Sequence, residues 1–174
     1  METNDTNNYL LKKQIRKEAM KRISGNYALT NEMLHLHWNE IDWKELSSNI
    51  TINWTSEILD HWKDEINWHQ LSQNSGDNLL IGEFLERFKD YWDWKELSDN
   101  SNFKISYELI DKYIDRWDWN KLINRYFDDD LYSMDFYLRY QKYIPMDKFE
   151  DSLLWEAIVA AERDAIEKDL IMGK

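Results

Sequence analysis

Four tryptophans, Trp43, Trp68, Trp94 and Trp119, follow one another at spacings of 25, 26 and 25 residues, and each opens a segment of the type Trp43-Lys44-Glu45-Leu46-Ser47. A period of this length marks a tandem repeat whose unit is one supersecondary element. Such a unit cannot bury its apolar face alone and must stack on its neighbours. A second series runs in phase: Glu32, Glu57, Glu83, Glu108 and Asp135 are separated by 25, 26, 25 and 27 residues.

Each of these acids sits early in a helical pattern. Thr30, Thr55, Ser106 and Ser133 stand two positions upstream, where a hydroxyl can accept from the free amides of a first turn, and the acid itself favours the positive end of the helix dipole. Apolar or aromatic residues follow one, two and five positions later, as in Ile58, Leu59 and Trp62 or Phe136, Tyr137 and Tyr140, and share one helical face. The tryptophan segment predicts a second, shorter helix. Trp43 and Leu46, Trp68 and Leu71, Trp94 and Leu97, Trp119 and Leu122, then Met146 and Phe149, are three apart. Asp42, Asn67, Asp93 and Asp118 precede them as N-caps, with Pro145 in the last unit, and Asn49, Asn74 and Asn100 follow as stops. The repeat unit is a helical hairpin.

The pattern changes at both ends. Residues 8–25 predict a basic helix with Leu11, Ile15, Ala19 and Ile23 at four-residue intervals, residues 28–149 the repeats, and residues 150–172 a longer helix striped by Leu154, Ile158, Ala161 and Ala165. The expectation is a single all-α domain over residues 1–174: a short α-solenoid of about five ~25-residue helical-hairpin units between N- and C-terminal capping helices. In this pattern Trp43, Trp62, Trp68, Trp94 and Trp119 occupy core positions, and Trp38, Trp54, Trp92, Trp117 and Trp155 are left for the surface or the core.

The segment Trp92-Asp93-Trp94-Lys95-Glu96-Leu97-Ser98-Asp99-Asn100, with copies at Ile41 to Asn49 and Ile66 to Asn74, resembles a group of bacterial proteins built from tandem tryptophan-x-tryptophan-x-x-Leu-Ser-x-Asn helical repeats. The resemblance covers residues 29–149. The copy from Trp117 departs after Leu122, and the fifth keeps only the apolar pattern. It implies a helical-repeat fold and no particular activity.

Composition narrows the function classes. The chain has no cysteine, so disulfides, thiol nucleophiles and cysteine-held zinc are excluded, and a reducing, cytoplasmic setting is expected. No apolar run has the length of a signal or a membrane span, so neither export nor a membrane partner is expected. Net charge is -12, and it is uneven. Residues 1–25 carry Lys12, Lys13, Arg16, Lys17, Lys21 and Arg22 against Glu2, Asp5 and Glu18, a net of +3 that leaves -15 for the remainder. An acidic body repels phosphate backbones and steers basic partners toward it, so direct DNA binding by the body is not expected, whereas RNA contact by the basic helix stays open.

No nucleotide-binding glycine loop, metalloprotease helix, nucleophile elbow or calcium loop is present, and the many carboxylates are what solvated helix faces require. His35 and His37 lie two apart and diverge on a helix. Glu32-x-x-His35 has half the spacing of a di-metal site, without the same spacing on a second helix. No metal, cofactor or catalytic residue is assigned. The candidate partner-binding residues are Tyr126, Phe127, Asp128, Asp129, Asp130 and Tyr132, where aromatics adjoin acids in a long inter-helix segment, together with Lys12, Lys13, Arg16 and Lys17 of the basic helix. The sequence thus points to a non-enzymatic protein-binding module. The sharpest form is a stoichiometric inhibitor of the immunity, antitoxin or anti-CRISPR type, directed at a basic nucleic-acid-handling protein. An adaptor scaffold joining two partners, and an enzyme with dispersed carboxylates, are the alternatives.

Overall fold

A computed structural model describes residues 2–126 and 131–173, and among these all regular structure is helical: twelve helices and no strand. No helix among the described residues is long and apolar enough to cross a membrane. The chain divides into two compact units, Met1–Trp92 and Asp93–Lys174.

The first unit contains α1 (Glu2–Asn26), α2 (Asn31–His37), α3 (Trp43–Ser48), α4 (Ser56–Trp62), α5 (Trp68–Gln73) and α6 (Ile81–Phe84). α1 packs on α3, and α3 on α5. The second contains α7 (Trp94–Asp99), α8 (Tyr107–Lys112), α9 (Trp119–Leu122), α10 (Met134–Tyr140), α11 (Met146–Phe149) and α12 (Leu153–Met172), with α7 packed on α9.

The helices begin where the hydroxyls and acids place them. Thr30, Thr55, Ser106 and Ser133 accept from the amides of Met33, Ile58, Leu109 and Phe136, and Asp42, Asn67, Asp93 and Asp118 do the same for α3, α5, α7 and α9. α6 lacks such a cap: Ile81 stands two residues before Glu83, where the other segments have Ser or Thr, and the helix is only four residues long. The core of the first unit includes Leu46 and Leu71, three after their tryptophans, with Leu34, Leu59 and Leu85 of the acid-marked segments; that of the second includes Leu97 and Leu122 in the same position, with Ile110.

Serine and asparagine link successive tryptophan-marked helices within each unit. Ser47 Oγ donates to Trp43 O at 2.6 Å and accepts from Asn67 N at 3.0 Å; Ser98 Oγ likewise joins Trp94 O at 2.7 Å and Asp118 N at 2.9 Å. Asn49 Nδ2 donates to Ser24 O and Tyr27 O at 2.8 and 2.9 Å, and Asn74 Nδ2 to Ser47 O and Asn49 O at 3.0 and 3.2 Å. Asparagine suits the slot because it donates to the preceding hairpin with one end and accepts from its own chain, Thr51 N or Gly76 N at 2.8 Å, with the other. Gly76 is required there, since a Cβ would lie 2.8 Å from the carbonyl oxygen of Ile50.

α1 is more than a cap. Its last two turns, Met20-Lys21-Arg22-Ile23-Ser24-Gly25-Asn26, align with Trp43-Lys44-Glu45-Leu46-Ser47-Ser48-Asn49, sharing the lysine, the serine and the asparagine and an aliphatic residue before the serine. Ser24 Oγ donates to Met20 O at 2.8 Å and accepts from Asp42 N at 3.0 Å, the part that Ser47 plays one hairpin later. The basic helix therefore ends in a degenerate repeat.

Candidate protein-binding surface

The cations of α1 are divided between the protein and solvent. Arg16 forms a bidentate pair with Glu40, Nη2 to Oε1 at 2.9 Å, and Lys21 reaches Glu45 at 3.5 Å. The hydrogen bond from Arg16 holds the Glu40 carboxyl below the ordinary carboxylate range. Arg22 pairs within the helix with Glu18, whereas Lys12, Lys13 and Lys17 are exposed and make no ion pair among the described residues. Lys13, Arg16 and Lys17 line an open groove with Met20, Asn39 and Glu40. Two of the six cations thus tie α1 to acids beyond it, one pairs within the helix, and three are presented outward.

The second candidate segment is split more sharply. Arg125, three residues after Leu122, stands where the earlier units have asparagine, and it is 1% exposed. Its Nη1 donates to Leu97 O at 3.1 Å and its Nη2 to Phe103 O at 2.8 Å, so it joins hairpins as the asparagines do. Tyr132 is buried beside it, its hydroxyl accepting from Arg125 N at 2.8 Å and donating to Leu122 O at 2.6 Å. Tyr132 thus serves the packing around Arg125 through its hydroxyl. Tyr126 is exposed, and Phe127, Asp128, Asp129 and Asp130 lie outside the described residues.

The tryptophans need a correction. Trp62 is buried as expected, but Trp43, Trp68, Trp94 and Trp119 are only half-buried, while Trp54, Trp92 and Trp117 lie in the core. The interior position of each second helix is taken by the leucine three residues on, and the indole lies at the rim against an aromatic of the next acid-marked segment: Trp43 on Trp62 at 5.0 Å, Trp68 on Phe88 at 5.4 Å, Trp94 on Tyr113 at 4.8 Å and Trp119 on Tyr140 at 5.3 Å between ring centres. The indole N–H groups of Trp43 and Trp68 donate to Trp38 O and Lys63 O, which keeps the polar edge satisfied at the rim. Trp38 is exposed and Trp155 half-buried.

Each unit also carries an ion pair between acid-marked segments that sequence reading did not single out. Asp60 pairs with Arg87 in the first unit, and Asp111 with Arg139 in the second. Asp111 is pulled below its ordinary value chiefly by the Arg139 hydrogen bond, and Tyr140, whose hydroxyl donates to Asp111 at 2.9 Å, is pushed up to about 12 by burial and then by that carboxylate. Arg139 also lies 5.4 Å from the Tyr107 ring centre, Arg116 5.5 Å from Trp94 and Lys142 4.5 Å from Tyr143, so each cation is held over an aromatic face. In the first unit His35 meets His61, ring centres 4.4 Å apart, and both also touch Trp62. His37 is turned instead toward Glu40, Nδ1 to Oε1 at 3.7 Å.

No protein-family model, curated protein or solved structure matches the chain.

Proposed function

We propose that the chain is a short α-solenoid of five helical hairpins that acts by binding another protein, without catalysis or cofactor, as a stoichiometric inhibitor of a basic nucleic-acid-handling protein in the manner of immunity proteins, antitoxins and anti-CRISPR proteins. One observation carries the reading: the buried serines and asparagines of the repeat are consumed in hydrogen bonds within the chain, so the polar groups left for a partner are chiefly the solvated charges of the outer faces. Over residues 26–174 that charge is -15. A surface of this sign engages lysines and arginines that otherwise hold phosphate, and it does so with fast, salt-sensitive association.

The test is capture of the tagged chain with its target, followed by competition. Binding should weaken steeply with salt and be displaced by the target's own DNA or RNA, because both ligands need the same cations. Replacing Asp128, Asp129 and Asp130 with asparagine should slow association and leave the melting temperature nearly unchanged. Charge reversal of Lys12, Lys13, Arg16 and Lys17 is the control. Loss of binding on that reversal, with none on the aspartate change, makes the basic helix the contact and defeats the acidic-mimic reading. Turnover of a substrate by the isolated chain defeats the non-enzymatic one.

A further inference from the structure

The first junction between acid-marked segments departs from two later ones. Counting from the acid that marks each segment, the third residue of one hairpin meets the fourth residue of the next. Asp60 meets Arg87 and Asp111 meets Arg139, an acid with a cation each time. At the first junction the same two positions are His35, on α2, and His61, on α4. Two imidazoles offer each other no opposite charge, yet their rings meet with centres 4.4 Å apart.

The surroundings fix the pair and leave its nitrogens free. Both imidazoles lie against the indole of Trp62, at 4.9 and 4.5 Å between ring centres. Trp62 is buried, its N–H donates to Asn31 Oδ1 at 3.3 Å, and Asn31 Nδ2 donates to Glu57 Oε1 at 3.0 Å, so the floor under the histidines is held by hydrogen bonds from both helices. The histidines themselves are exposed, and neither makes a hydrogen bond or ion pair among the described residues. The other two histidines are engaged elsewhere: His37 faces Glu40, and His69 Nε2 lies 3.5 Å from Gln73 Nε2.

The spacing suits a shared ion. Two imidazoles bound to one ion at about 2.0–2.1 Å, roughly 90–110° apart, have ring centres ~4.5–5 Å apart. The observed separation is close to the lower end of that range, so an ion asks only that two exposed rings turn their nitrogens to a common point. The setting is acidic, with Glu32 one turn before His35 and Glu57 one turn before His61. Hydrogen bonds from Thr30 and from its own amide, with a smaller contribution from His35, hold the Glu32 carboxyl below the ordinary range. An ionised carboxylate beside the pair favours a dication and is a candidate third ligand, with water in the remaining positions. The spacing Glu32-x-x-His35 has no copy on a second helix, but α4 supplies the second imidazole directly.

We propose that His35 and His61 bind one divalent transition-metal ion of the Zn2+ or Ni2+ class across α2 and α4. Imidazole suits these ions, whereas Mg2+ and Ca2+ take oxygen ligands. The ion does at this junction what the acid–arginine pairs do at the later ones. It staples the fold and is independent of the partner the chain inhibits.

Calorimetric titration of the full chain with Ni2+ and with Zn2+, in excess Mg2+ to occupy surface carboxylates, tests it. The expected result is one ion per chain and a melting temperature that rises with occupancy. His35→Phe and His61→Phe each keep a ring against Trp62 and remove the ligating nitrogens. Each should weaken binding at least ~10-fold, the least that loss of even an outer-shell partner costs, and cancel the metal-dependent rise while the metal-free melting temperature stays near wild type. Asparagine at either position, which keeps polarity without the imidazole, should give the same loss. His37→Phe and His69→Phe should bind as wild type does. The absence of saturable binding at about 1 mM ion overturns the proposal. So does binding that survives the change at His35 or at His61, or binding that is lost at His69→Phe.

Discussion

Asn49→Ala and Asn49→Asp separate the role of the asparagine slot from that of mere burial. Asn49 is 1% exposed; its Nδ2 serves two carbonyls, and its Oδ1 accepts from Thr51 N and Thr51 Oγ at 2.8 and 2.7 Å. Truncation to alanine strands Ser24 O, Tyr27 O and Thr51 N. At about 1 kcal/mol for each net hydrogen bond, with a small cavity added, the loss is ~3–4 kcal/mol. Aspartate has nearly the same shape and keeps the acceptor, but it turns an oxygen toward two carbonyls that need a donor. It should therefore cost more than alanine at neutral pH, despite filling the space. The buried carboxyl resists ionisation, so its folded pKa lies above its unfolded one; Asn49→Asp should regain stability relative to wild type as pH falls through that raised value. Urea denaturation at pH 7 and at about pH 4.5 reads both effects, the lower pH lying near the ordinary carboxylate range. An aspartate variant as stable as the alanine variant at pH 7, or an alanine loss below ~0.5 kcal/mol, would refute the donor-to-two-carbonyls account.

Arg125→Asn should retain more stability than Arg125→Ala in thermal melts, because the amide can still donate toward Leu97 O; equal losses would show that Arg125 does not occupy the asparagine slot. Trp54 and Trp92 are buried with indole N–H groups that have no partner among the described residues, whereas Trp117 donates to Ile110 O, so phenylalanine should cost about 1 kcal/mol more at Trp117 than at either of the others. Asp111, held low by Arg139, contributes stability that is present above the unfolded carboxylate pKa and lost as pH falls through its lower folded value; Asp111→Asn should flatten that acid limb. Tyr140 has the opposite sign: its raised value contributes stability that is whole below about pH 10, the ordinary tyrosine value, and declines as pH rises toward 12, a loss that Tyr140→Phe should remove.

Helix starts were the most legible part of this fold. Their signals are local: a hydroxyl or carboxylate, an acid and an apolar offset within one turn, and all eight side-chain N-caps named for the repeat helices form the expected bonds. The depth of each tryptophan was not legible in that way. Which side of a one-turn helix faces inward is decided by the hairpin stacked on it, so Trp92 and Trp94, two residues apart in one motif, have different environments. Arg125 carries no such local signal, since Ile123 replaces the serine of the earlier copies and the motif departs after Leu122. Counting three residues from Leu122 identifies the slot, but only once the asparagines are known to donate to carbonyls does an arginine qualify for it.

Of the candidate surface, the basic helix was legible as charge and illegible as contact. Composition counts Arg16 with Lys12, Lys13 and Lys17, yet Glu40, reached across 24 residues of chain, removes Arg16 from the free cations. The ion pairs between acid-marked segments show the same relation from the other side. Asp60 and Arg87, or Asp111 and Arg139, lie 27 and 28 residues apart and have no signal within one helix. They emerge when residues are numbered from each helix's own acid rather than along the chain. That numbering also isolates His35 and His61, which look like unrelated surface histidines until the same two positions are known to carry an acid and an arginine at later junctions. In a repeat, the informative residue is the one that breaks the rule.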